Sequence, residues 1–151
     1  MGRIQLTGTF SIMPEGEHVL QIVAVSYKEE FGKLSVTMET ADGKKHFENF
    51  NLLDSSGQPS TGAYNSFSAL ARTAMKDNNL EDIDPQDLIG TFVKGTITHR
   101  EYTDKNGQLK KATQKEPGTW WEAPADEEIE DFLNKSGTPA KKSFDLNSIL
   151  G

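Results

Sequence analysis

The sequence predicts an all-β-dominated domain, a five-stranded barrel with one helix, followed by an acidic tail. Three observations predict it. Short β-branched runs are separated by Gly, Pro and Asp turn signals; a single segment carries helical periodicity; and composition changes abruptly after Trp121. The 151 residues suffice for one domain with its own core, here residues 1–121, and the tail is residues 122–151.

The first 14 residues, broken by Gly2, Gly8 and Pro14, read as a lead-in arm or an edge strand. His18–Lys28 is apolar on both parities from Val19 to Val25, as expected of a strand buried on both sides. After a Glu29–Gly32 connection, Lys33–Thr40 alternates, with Leu34, Val36 and Met38 on one face. An Asp42-Gly43 turn leads to a third strand, Lys44–Leu53, whose faces alternation does not settle. Phe47 and Phe50 fall on opposite parities, so one packs in the core and the other is a surface aromatic.

Phe67, Leu70, Ala71, Ala74 and Met75 recur at helical spacing and predict a helix over Ala63–Lys76 with one core-facing stripe. An acidic loop follows. Pro85 suits one short turn before Gly90. Phe92–Tyr102 then alternates again: Val93, Gly95 and Ile97 face the core, while Lys94, Thr96, Thr98, Arg100 and Tyr102 form a basic, aromatic face. Phe92 shares the parity of Lys94 but is expected in the core. The Asn106-Gly107 pair in Asp104–Gly107 predicts a hairpin turn, and the return strand Gln108–Gln114 brings Lys110 and Lys111. Trp120 and Trp121 are adjacent, so one closes the barrel and the other lies nearer solvent.

The resulting order, β-β-β-α-β-β, matches an OB-like barrel; an open meander with the helix on one side is the runner-up. Net charge is −7, yet residues 88–121 hold 6 Lys or Arg against 3 Asp or Glu, while residues 77–87 hold 5 acidic residues and no Lys or Arg. A basic ribbon within an acidic chain suggests a located anion site, although a solvated hairpin has the same composition. Cationic side chains beside exposed rings are what a single strand requires, because every base has a π-face. The candidate binding residues are Lys94, Arg100, Tyr102, Lys110 and Lys111, with Tyr27, His46 and Trp121 added and Phe31 able to cap the groove. Phe47 joins them only if it shares a face with the ribbon. Contact by three cations implies a slope of log affinity against log salt of about −2.

Other chemistry finds little support. The chain has no cysteine, which excludes disulfides and thiolate sites; His18, His46 and His99 are scattered; and no phosphate-loop or nucleophile-elbow sequence occurs. The expectation is a non-catalytic protein without metal or cofactor. No stretch reaches the apolar length of a membrane span or a secretory leader, so a soluble intracellular protein is expected.

The stretches MPEGEHVLQIVAV, KLSVTMETADGKKHFENFNL and DLIGTFVKGTITHREYTDKNGQ, with an acidic tail ending in FDLNSILG, resemble single-stranded-DNA-binding and replication-associated proteins of phages and prophages of Gram-positive bacteria. The resemblance implies an OB-type domain that coats single-stranded DNA in the cytoplasm of a bacterial host, possible self-association, and a tail that recruits replication or recombination proteins. Phe144, Leu146, Ile149 and Leu150 are the candidate partner anchors, the last three on one helical face. The final residues lack the aspartate run before Pro-Phe of the better-known bacterial proteins. The competing class is a protein-interaction module, either a phage structural component or an acidic inhibitor imitating nucleic acid.

Overall fold

The computed structural model describes residues 12–136. Five antiparallel strands form one open sheet: β1 (Gly16–Lys28), β2 (Lys33–Glu39), β3 (Lys45–Asn51), β4 (Phe92–Thr103) and β5 (Leu109–Lys115), in the spatial order β3-β2-β1-β4-β5. The helix α1 (Thr61–Met75) joins β3 to β4, and a second helix, α2 (Asp126–Ser136), follows β5. The mostly-β expectation and its element order hold as far as β5. The expectation of one helix is corrected by α2.

Alternation in β2 and β4 is obeyed. Leu34, Val36 and Met38 are buried from β2, as are Val93 and Ile97 from β4. In β1 the reading of two buried faces is corrected: Leu20 and Ile22 are buried, whereas Val19 and Val23 are only half-buried. A register shift between Ile22 and Ala24 turns the strand, so that Val25 packs against the core from the opposite parity. The stripe of α1, Phe67, Leu70, Ala71 and Ala74, closes the core from below, with Phe67 edge-on to Phe50 of β3 at 5.4 Å.

Two local devices shape the β4–β5 end. In the hairpin, the Asp104 carboxylate accepts from the Asn106 and Gln108 backbone N–H groups, each at 2.9 Å, and Gly107 takes φ 82°. The connection therefore runs through five residues, Asp104–Gln108, longer than the Asn-Gly pair alone would require. Gly95 is needed for a different reason. A β-carbon there would lie 2.5 Å from the Trp121 ring, so the missing side chain is the seat of the indole.

Residues 122–136 are also part of this packing, contrary to the expectation that the chain loses its fold after Trp121. Glu122 exchanges two backbone hydrogen bonds with Lys94, at 2.7 and 2.8 Å. Phe132 of α2 is buried and meets Phe92 edge-on at 5.2 Å. Phe92 is thus half-buried beneath α2 on the outer side of the sheet, where its shared parity with Lys94 places it, and not in the main core. The anchors Phe144, Leu146, Ile149 and Leu150 lie outside the described residues.

Gly95→Ala should destabilise the fold by about 1 to 3 kcal/mol, because the added methyl overpacks the Trp121 seat. Denaturant melts would show it as a lower midpoint at unchanged slope. Ile97→Ala should cost about 2 to 5 kcal/mol through the cavity it leaves.

Candidate nucleic-acid interface

β3 and β5 are the two edges of the sheet, and side chains connect them. His46 of β3 is 1% exposed. Its Nδ1 lies 2.7 Å from Thr113 Oγ1 on β5, and its Nε2 lies 2.7 Å from Glu48 Oε1. Nε2 faces the Glu48 carboxylate and Nδ1 the Thr113 hydroxyl, which can donate or accept, so both nitrogens have partners. The Trp121 ring stands 6.1 Å away at a tilt of 47°.

Because successive residues face opposite ways, an inward His46 sends Lys45, Phe47 and Asn49 outward. Over the seam between β3 and β5 these three meet Arg100, Lys111 and Thr113 in an open cleft of about 440 Å³. Phe47 is 55% exposed. Phe47 therefore does share a face with the ribbon. Arg100 lies opposite Ala112 and Lys111 opposite Glu101, so the two cations sit on opposite faces of the ribbon, yet both line the cleft. Arg100 also stacks over Tyr102, its guanidinium carbon 5.6 Å from the ring centroid, and Tyr102 faces Lys110 across the ladder.

A second cleft, of about 550 Å³, lies next along the seam and shares Asn49 with the first. Trp120, 64% exposed, and Lys115 border it. Trp121 is the buried member of the pair at 7%, and its indole N–H finds no acceptor among the described residues.

The arrangement revises several candidates. Arg100 and Lys111 line the first cleft and make no ion pair among the described residues, and Tyr102 and Lys110 stand beside them. Lys110 is shared with Asp104, 3.7 Å away, whose carboxyl is held below its ordinary pKa first by the Gln108 backbone N–H. Lys94, six residues from Arg100 and so about 20 Å along the strand, points under α2 and bonds both Glu128 oxygens at 3.2 Å. That removes it from the phosphate-binding set. His46 is consumed inside the fold, and Trp121 gives way to Trp120 as the exposed ring. Tyr27 lines a separate pocket with Tyr64, where burial and then Glu29 raise its phenol above the usual pKa. Phe31 is 59% exposed in the turn between β1 and β2 and lines neither cleft. Lys45 enters the cleft unforeseen but already paired with Glu39.

Among the described residues no group of three or more His, Asp or Glu is placed to hold a metal, and no helix is long and apolar enough to cross a membrane. Compared with known proteins, the chain matches no family model and no curated protein.

The Lys94–Glu128 contact predicts a pH dependence. Glu128 also accepts from the Ala125 backbone N–H at 2.8 Å; that bond first, and Lys94 second, lower its pKa, while Glu128 raises that of Lys94. A lowered carboxyl contributes stability above its unfolded value and loses it as pH falls through the folded one. A raised ammonium contributes below its unfolded value and loses it as pH rises through the folded one. Glu128→Gln should therefore lower Tm most between the ordinary Glu and Lys ranges, and the difference from the native chain should shrink in acid. Thermal melts across pH, at low salt, would measure it.

Proposed function

We propose that the chain is a non-catalytic OB-type protein that binds single-stranded DNA without strong sequence preference, along the β3–β5 seam. The single observation that carries this reading is the cleft that the exposed Phe47 ring lines together with Arg100 and Lys111, two cations with no ion pair among the described residues. Phosphates would meet the cations while a base stacks on the ring. Trp120 in the adjoining cleft offers a second ring to the same strand. A duplex keeps its bases stacked on one another and has no use for either ring.

The OB assignment is supported by the strand order and by the His46–Thr113 contact between the outer strands, which is where a barrel of this order would close. A role in phage replication or recombination, with partners recruited through the C-terminal residues, rests on the sequence resemblance. The acidic loop at residues 77–87 keeps the inhibitor reading as an outcome of the test.

With Lys94 withdrawn, about two free cations contact phosphate, and the expected salt slope on single strands is about −1.4 in place of −2. Phe47→Ala should cost about 1 to 3 kcal/mol of affinity at unchanged melting temperature. Lys111→Ala should reduce the slope by about 0.7. Fluorescence titrations with oligothymidylate and with a duplex of equal length, at several salt concentrations, measure all three. Equal affinity for the duplex, or no binding at low salt, would refute the reading.

A further inference from the structure

Sharing no residue with either cleft, an apolar pocket of about 260 Å³ opens between α1 and the segment that follows it. Its floor is Leu34, Leu52, Phe67 and Ala71, all buried side chains of the core. Glu81 and Asp82 form one rim, in the stretch 77–87 that carries 5 acidic residues and no Lys or Arg. Arg72 stands in the wall, its Nε–H donating to the Leu80 carbonyl at 3.0 Å, which fixes the rim and leaves the other guanidinium donors for a carboxylate. A cavity of about 150 Å³ takes a benzene ring, so this one has room for an aromatic side chain.

The pocket thus selects a ring with positive charge on one side and a carboxylate on the other. The chain contains that order once beyond the described residues: Lys141-Lys142-Ser143-Phe144-Asp145. We propose that this segment docks in the pocket of its own chain, Phe144 on the apolar floor, Lys141 and Lys142 toward Glu81 and Asp82, and Asp145 toward Arg72. Reach permits it. Phe144 lies eight positions beyond Ser136, a span of up to about 26 to 29 Å. The end of α2, Lys135 and Ser136, lines a cleft with Gln21 and Glu39. Tyr27 at the pocket is six residues from Gln21 along β1 and Leu34 five from Glu39 along β2, about 20 and 17 Å. A tether of this length raises the effective concentration to the order of millimolar, so a weak contact is populated. The inference does not depend on DNA binding. It would set docking of the tail in competition with its capture by other proteins.

The chain has no cysteine, so Ser143→Cys admits a single environment-sensitive fluorophore beside Phe144 in the full-length protein. Docking predicts blue-shifted emission relative to the same label on a free peptide of residues 137–151, unchanged on serial dilution of the protein. Phe144→Ala, and separately Glu81→Lys with Asp82→Lys, should each remove most of the shift, while thermal melts report that the fold is kept. Ser68→Trp, which fills the pocket from α1, should do the same. Emission identical in all variants would overturn the proposal. A shift that fades on dilution would also overturn it, by assigning the pocket to a second copy of the chain.

Discussion

A five-stranded open sheet has two edges, and here one buried imidazole connects them. His46 is a polar group buried beside an apolar core, and it is tolerated because both ring nitrogens have partners. The contact with Thr113 joins β3 to β5 across 67 residues of sequence. Much of the rest follows from it. Trp121 packs beside the ring and on Gly95, and the inward His46 obliges Lys45, Phe47 and Asn49 to face out over the seam. The cleft is thus set by the same residue that ties the edges, and loss of that residue would disturb site and fold together.

What could be read from the sequence depended on how local the determining contact was. The faces of β2 and β4 were legible because each strand places its apolar residues on one parity, and α1 because its stripe is complete within one element. β3 was not. Hydropathy favours Phe inside and His outside, yet Phe47 is exposed and His46 buried, since the partner that satisfies the imidazole lies on another strand. A signal was available: once Phe50 is taken as the core aromatic, parity carries Glu48 and His46 to the same side. Trp121 follows similar logic, for the small Gly95 within an otherwise filled face marks where a large ring must sit.

The second helix shows a different failure, that of reading composition in place of pattern. Residues 122–136 are rich in carboxylates, which suggested a solvated tail. Yet Asp126, Glu127 and Glu128 stand in the first turn of α2, where acidic side chains oppose the positive end of the helix, and Ile129, Phe132 and Leu133 follow at i, i+3 and i+4. Glu128 serves twice: it accepts from the Ala125 N–H at the start of the helix, and it reaches across to Lys94. Burying Phe132 on Phe92 brings that carboxylate over the strand, so the same packing that orders α2 neutralises the lysine that looked most central to the basic ribbon.

Counting charges along a stretch therefore overstated the cationic character of the site. Lys94, Lys110 and Lys45 each have a carboxylate partner, and what remains open at the cleft is Arg100 and Lys111 within a chain of net charge −7. Two unpaired cations in such a field attract polyanions weakly at long range, and the attraction is screened within about 8 Å at physiological ionic strength. Affinity for nucleic acid, on the proposed reading, must then come largely from rings that contact bases. That requirement separates single strands from duplexes without any contact that reads sequence, and it makes the exposed rings of Phe47 and Trp120 the side chains on which discrimination depends.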